Sequence, residues 1–137
     1  MKKILIILFA TILCSCGKRI TCGKFRYNYV LNNESNYVLM IEANSYDSSF
    51  PNTLTLNSGD SFSRATRYST VAIPSNLLRI TFDGKYTIDR SSFAKHRNPL
   101  DINNYNAIKK GKWLVTLTYT FTNEDYEIAK QQKKNSE

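Results

Sequence analysis

The sequence predicts a mainly β domain: an antiparallel β-sandwich of immunoglobulin-like architecture, with about seven strands and a short C-terminal helix. Short apolar–polar alternations separated by turn residues recur at intervals of about ten residues. Nine Tyr, seven Phe and frequent Thr favour strands. The clearest alternation, residues 112–122, carries large apolar side chains on one face and mainly Thr on the other, as in a sheet with one buried face. A small β-barrel is the alternative architecture.

Four strands are predicted in the first half of the domain. Residues 25–31 and 36–43 alternate on either side of a polar turn cluster, so we expect them to pair as a hairpin. A short strand at 53–56, a turn at 57–60 and a weaker strand at 61–67 follow.

The second half contains the strongest local signals. Strands at 77–82 and 85–89 flank Asp83-Gly84, a pair that favours a type I′ hairpin. The last strand, 112–122, is expected to turn one row of side chains inward: Trp113, Val115, Leu117, Tyr119 and Phe121.

A helix over about residues 123–133 is predicted to close the domain. Thr122 and Asp125 have the spacing of a capping box, and acidic residues precede basic ones along the segment. Tyr126, together with Ala129 or Lys130, is expected to face the sheet. Between the last two strands, residues 90–111 have no regular pattern, and a connection of this length often carries function.

The N-terminus has the features of an export signal. Lys2 and Lys3 precede an unbroken apolar run at 4–13, which suits the core of a signal peptide. A bilayer span needs about 20 apolar residues, so this run is too short for a membrane helix.

The run ends in Leu13-Cys14-Ser15-Cys16, which resembles the lipobox of bacterial lipoproteins. Cys16 fits the position of the modified cysteine better than Cys14, because it has a branched apolar residue at −3 and a small residue at −1. The resemblance implies cleavage after Ser15, a diacylglyceryl group on the Cys16 sulfur and an acylated α-amine. Two or three acyl chains on one residue hold a protein on a membrane permanently.

The resulting organisation is a signal peptide at 1–15, a lipidated Cys16 with a tether at 16–24, one β-rich domain at 25–134 and a frayed tail at 135–137. Removal of Lys2 and Lys3 leaves 17 of the 19 basic side chains beside 11 acidic ones. Cys22 is then the only free thiol of the mature chain, so no internal disulfide is expected.

The expected location is the cell envelope. The chain resembles small lipoproteins of Bacteroides-type envelopes, which often reach the cell surface through acidic residues after the lipidated cysteine. Gly17-Lys18-Arg19 follows here instead. We therefore expect an outer-membrane anchor facing the periplasm, with the cell surface as the alternative.

No catalytic, metal-binding or cofactor-binding constellation is recognised in the sequence, so we expect a protein that is not an enzyme. The only His, His96, stands between two cations, which disfavour its protonation and metal binding. No Gly-rich phosphate loop or nucleophile motif occurs, and no pair of carboxylates is singled out.

The leading hypothesis is a non-enzymatic binding or interaction module, monomeric, with an envelope protein as its partner. The alternative is a polyanion- or anionic-glycan-binding protein acting through the basic loop at 90–112, in which aromatic residues lie among cations. Nucleic acid is not an expected partner for an exported protein, and an adhesin or pilus-type subunit is a third possibility. The candidate ligand-binding residues are Arg90, Lys95, Arg97, Lys109 and Lys110.

Overall fold

The computed structural model describes residues 26–67, 72–93 and 97–135. It is a sandwich of two four-stranded sheets with one helix, which confirms the predicted fold class; the sheets do not close into the alternative barrel. The elements in chain order are β1 (Arg26–Asn33), β2 (Leu39–Ser45), β3 (Thr53–Leu56), β4 (Ser61–Thr66), β5 (Ser75–Phe82), β6 (Tyr86–Asp89), β7 (Asn106–Lys110), β8 (Leu114–Phe121) and α1 (Asn123–Lys134). The predicted signal peptide, Cys16 and Cys22 lie outside the described residues.

The first sheet has the strand order β4-β1-β8-β7, and the second has β3-β2-β5-β6. Neighbouring strands are antiparallel except β1 and β8, which run parallel from Arg26 opposite Leu114 to Asn33 opposite Phe121. A parallel pair needs a long crossover, and here the rest of the domain forms that crossover.

The prediction that the first two strands pair as a hairpin is wrong. β1 pairs with β4 and β8, whereas β2 pairs with β3 and β5, so residues 34–38 carry the chain from one sheet to the other. Both strands alternate and both bury one face, and this pattern is the same for a hairpin and for two strands facing each other across a sandwich. The Asp83-Gly84 hairpin between β5 and β6 is confirmed, with φ of 49° and 65° at the two residues.

The core lies between the sheets and contains the predicted alternating positions. Tyr29 and Leu31 of β1 face Leu39 and Ile41 of β2, and all four are almost fully buried. The inward residues of β5 and β8 complete this layer: Leu78, Ile80, Phe82, Leu117, Tyr119 and Phe121. Trp113 was predicted to join them, but its side chain is 42% exposed, because the chain turns at 111–113 and β8 begins only at Leu114.

Strand β7 lies inside the segment predicted to be irregular. All five of its residues are exposed, including Ile108. Since neither face of β7 is buried, its sequence has no apolar–polar alternation that would predict a strand. It is held by its antiparallel pairing with β8, as an edge of the first sheet.

The closing helix has the predicted start, and of the two alternatives for its buried face Ala129, not Lys130, is the buried residue. The Thr122–Asp125 capping box is present, and the Thr122 N–H donates to the Asp125 carboxylate at 2.8 Å. Ala129 is fully buried, and the Tyr126 ring stacks on Tyr37 with centroids 3.6 Å apart. The helix thus packs along the second sheet and runs back beside β6.

Three core tyrosines predict a loss of stability at alkaline pH. Burial raises the pKa of Tyr29 to about 12 and raises the pKa of Tyr105 and Tyr119 as well. The folded state therefore holds these phenol protons more tightly than the unfolded chain, whose Tyr pKa is about 10. We expect stability to be unaffected below pH 10 and to fall as the pH rises from 10 towards 12.

Urea unfolding as a function of pH, with tyrosinate absorbance recorded in parallel, measures this effect. Tyr29→Phe keeps the ring and removes one titrating group, so it should flatten the alkaline loss. An unchanged slope in Tyr29→Phe would show that Tyr29 ionises freely in the folded protein.

Candidate functional site

The irregular connection predicted to bind ligands is, in its described part, anchored to the domain. The Arg97 guanidinium donates from Nε to Asp125 Oδ1 at 2.9 Å, and its Nη2 contacts Asp125 Oδ2 and donates to the Thr120 carbonyl at 2.9 Å. The guanidinium carbon lies 5.4 Å from the centre of the Tyr119 ring. Nε and Nη2 of Arg97 are therefore engaged within the fold.

Two tyrosines hold the same connection from beneath. The Tyr119 hydroxyl donates to the Arg97 carbonyl at 2.8 Å, and the Tyr105 hydroxyl donates to the Pro99 carbonyl at 2.7 Å. The rings of Tyr105 and Tyr119 also contact each other, with centroids 5.3 Å apart. Two core side chains therefore fix the backbone of this segment at Arg97 and Pro99. A loop that adapts to a ligand would need a backbone free to move at such positions.

The predicted ligand-binding residues do not converge. Arg97 lies at the end of β8 near Thr120, whereas Lys110 pairs with Leu114 at the start of β8. Six residues of strand separate the two positions, a distance of about 20 Å. Arg90 follows β6 and donates to the Asn76 carbonyl at 2.7 Å. Lys95 lies outside the described residues.

Lys109 and Lys110 belong instead to a basic surface at the end of the sandwich where β1 and β8 begin. We call this the tether end, since it is where the chain enters the domain from its N-terminal segment. The Arg26 N–H donates to the Trp113 carbonyl at 2.8 Å, which joins the start of β1 to the turn between β7 and β8. Its exposed cations are Arg26, Arg67, Lys109, Lys110 and Lys112.

The strand register brings the cations of the tether end together. Arg26 and Lys110 both lie opposite Leu114, and Arg67 follows Thr66, the residue paired with Tyr27. Since adjacent strands are about 4.8 Å apart, the tips of the four strands cover a width of about 15 Å. The charges are therefore close enough to act on one anionic surface.

An open depression and an exposed aromatic lie among these charges. The depression has a volume of about 280 Å³ and is lined by Arg26, Ala65, Thr66 and Arg67. On the other side of β1, Trp113 and Leu114 are 42% and 37% exposed, and the Lys112 ammonium lies 5.1 Å from the centre of the Trp113 ring. The tether end thus combines two guanidinium groups, several ammonium groups and one indole.

The opposite end of the sandwich, which we call the far end, has mainly acidic connections. Exposed carboxylates there belong to Glu34, Asp60, Asp83 and Glu124, with Lys85 as a basic neighbour. The strand directions place each of them at the end where β1 and β8 finish. The exposed carboxylates of the strand connections therefore gather at the far end, where Lys85, Lys130 and Lys133 are the basic neighbours.

Two carboxylates near the tether end are paired with arginines. Asp47 contacts Arg64, and Ser49 donates to it from its backbone N–H at 2.9 Å. These bonds, with that of Ser49 first, hold the pKa of Asp47 at about 2. Asp89 accepts from Arg79 at 3.0 Å. Neither carboxylate therefore offsets the exposed cations as an unpaired charge.

A protective role also explains two of these lysines. β7 is an edge strand of the first sheet, and lysines on an edge strand disfavour pairing with another chain. Lys109 and Lys110 suit this role without any ligand. The same explanation does not cover Arg26 and Lys112, because Arg26 lies on an inner strand and Lys112 lies in a turn.

Sequence reasoning placed Lys109, Lys110 and Lys112 together in the basic loop but missed Arg26, Arg67 and Trp113 as members of the same surface. Arg26, Arg67 and Trp113 are far apart in sequence, and only the β4-β1-β8 pairing places them side by side. The usable signal was that each lies at the boundary of a strand, but strand order cannot be derived from such boundaries.

The described residues offer neither a cluster of metal ligands nor a helix that could span a membrane. Residues 26–67, 72–93 and 97–135 contain no group of three or more His, Cys, Asp or Glu side chains suited to a metal ion. In that same part of the chain, no helix combines the length and the apolar character needed to cross a bilayer. Comparison with known proteins found no matching family model, curated protein or solved structure.

Proposed function

We propose that this protein is a lipid-anchored lipoprotein of the bacterial envelope, on the outer membrane facing the periplasm, with a non-enzymatic domain that binds an envelope partner. The observation that carries the proposal is the lipobox-like Leu13-Cys14-Ser15-Cys16 after a basic and then apolar N-terminus. The cell surface remains the alternative location.

The fold is compatible with this role because of where its first strand begins. β1 starts at Arg26, ten positions after Cys16. A chain spans at most about 3.5 Å per residue, so the lipid and the domain are separated by no more than about 35 Å. A domain on so short a tether works close to the membrane that anchors it.

Replacing Cys16 by serine tests the anchor. We expect the wild-type protein in the membrane fraction, with a mass that shows cleavage after Ser15 and acylation of Cys16. The Cys16→Ser variant should lack the acyl groups and keep the uncleaved signal peptide. In the lipoproteins that the motif resembles, the acyl groups are on this cysteine and the signal peptide is cleaved just before it.

Cys22→Ser is the matched control for this experiment, since it removes a thiol from the same N-terminal segment. It should leave acylation and membrane association unchanged. Wild-type protein that is cleaved elsewhere, or is found without acyl groups on Cys16, would contradict the proposal.

A second candidate function is binding of an anionic glycan, favoured by the complete exposure of β7 with Lys109 and Lys110. In this case the ligand would meet a strand edge and its adjoining turn rather than the whole 90–112 loop. Arg97 is not part of this version, because its guanidinium bonds to Asp125 and to the Thr120 carbonyl.

A further inference from the structure

We propose that the tether end of the sandwich docks on anionic phospholipid headgroups and fixes the orientation of the domain on its membrane. The inference rests on the proposed lipid anchor, which is the first contact of the protein with the membrane. It gives the domain itself a second, reversible contact with the same membrane. The far end would then point away from the bilayer and be the part presented to partners.

The position of the chain entry is the first argument. Arg26 is at the same end as the basic turn 111–113, to which its backbone is bonded. A tether of at most about 35 Å that enters at this end keeps it nearer the bilayer than the far end. The tether end is therefore the surface of the domain that is most often close to the headgroups. Its charges act on them when it lies within the Debye length, about 8–10 Å.

Charge complementarity is the second argument. The cations Arg26, Arg67, Lys110 and Lys112 surround the end that meets the membrane, and the exposed carboxylates of the strand connections lie at the far end, partly offset there by Lys85, Lys130 and Lys133. An anionic bilayer attracts the first group and repels the second, so both favour the same orientation. A guanidinium can also bind a phosphate through two parallel hydrogen bonds, and both arginines line the open depression.

Trp113 gives the third argument. Indole side chains are favoured at the headgroup level of a bilayer, where the ring is buried and its N–H remains near water. Trp113 is 42% exposed beside Leu114 and Lys112, at the end that faces the membrane in this orientation. The sequence pattern predicted that this ring points into the core, as it would from an inward position within a strand.

The single Trp of the chain makes the contact measurable. The acylated protein is purified in detergent and reconstituted into vesicles of phosphatidylcholine alone or mixed with phosphatidylglycerol, each containing a lipid that carries a fluorescence quencher near the headgroup. We expect Trp113 quenching in the anionic vesicles, little in the neutral ones, and a marked loss when salt is raised to about 1 M, where the Debye length is about 3 Å.

Charge reversal locates the contact. Each cation near the surface changes the ratio of docked to undocked protein about fivefold. Arg67→Glu and Lys112→Glu each remove one positive charge and add one negative charge, so each variant should lower that ratio about 25-fold. Lys85→Glu makes the same charge change at the far end and should leave the quenching at the wild-type level. Arg67 and Lys112 are both exposed. Lys112 also lies in a turn, so Lys112→Glu is expected to fold normally.

The outcomes separate this inference from the proposed function. The mass of the N-terminal peptide is determined first, and an unmodified Cys16 overturns the anchor and the docking together. An acylated protein whose Trp113 is not quenched, or is quenched equally in neutral vesicles, overturns the docking alone. A Trp113 spectrum that responds to a soluble anionic polysaccharide but not to the vesicles assigns the surface to a glycan instead.

Discussion

Replacing Arg97 by methionine is expected to lower the free energy of unfolding by about 3 kcal/mol. The Asp125 side chain is only 5% exposed, and without Arg97 its carboxylate would keep the Thr122 N–H as a partner but lose its counter-charge. Breaking a buried ion pair on one side costs about 3–5 kcal/mol. The lower value applies because Arg97 is 20% exposed, which allows water to reach the carboxylate.

Urea and thermal unfolding of the two proteins would measure this loss, with a fall in Tm on the order of 10 °C. Arg79→Met is the matched control, since Arg79 also pairs with one aspartate but both side chains are about half exposed. An exposed pair is worth less than about 1 kcal/mol. Equal and small losses in the two variants would show that the Arg97 pair does not hold the connection between β6 and β7.

This ion pair also shows what sequence reasoning could and could not reach. Thr122 and Asp125 predicted a capping box from their spacing, and the structure confirms it. The spacing gives no indication that Asp125 also binds Arg97, because the two residues are 28 positions apart. Arg97 was consequently assigned to a ligand surface, as a basic residue in a loop.

The alternation of apolar residues predicted which side chains are buried better than it predicted how the strands are arranged. Ile80 and Phe82 of β5 and Leu39 of β2 are fully buried as expected, because alternation reports directly which face of a strand is apolar. Strand partners depend on the path of the chain between strands. The connection after β1 changes sheets, and no residue type in it distinguishes that path from a hairpin.

The tether end illustrates the same limit for a functional surface. Arg26, Arg67 and Trp113 are ordinary residues at the ends of strands, and their proximity follows from the parallel β1–β8 pairing and the antiparallel β1–β4 pairing. Local sequence patterns do not contain this long-range information. The lipobox-like motif is different, because its residues are contiguous and its chemistry is expected before the domain folds.

Replacing Asn33 by alanine is expected to destabilise the domain by a similar amount, about 3 kcal/mol. Asn33 is fully buried at the far end, where it links the two sheets. Its Nδ2 donates to the carbonyls of Leu56 at 2.9 Å and Tyr37 at 2.8 Å, and its Oδ1 accepts from the backbone and hydroxyl of Ser35. Alanine would leave these buried groups without their partner.

Asn32→Ala is the control, because Asn32 is the neighbouring residue on the same strand and its side chain lies on the other face. Its effect should stay within about 0.5 kcal/mol. If urea unfolding gives the same small loss for both variants, the connection at 34–38 is held by its backbone bonds, such as Glu34 N–H to the Phe121 carbonyl, and not by the Asn33 amide. A large loss in Asn33→Ala alone would identify this amide as the tie that carries the chain from the first sheet to the second. It would also explain why a polar residue stands at the end of a strand whose other inward positions are Tyr27, Tyr29 and Leu31.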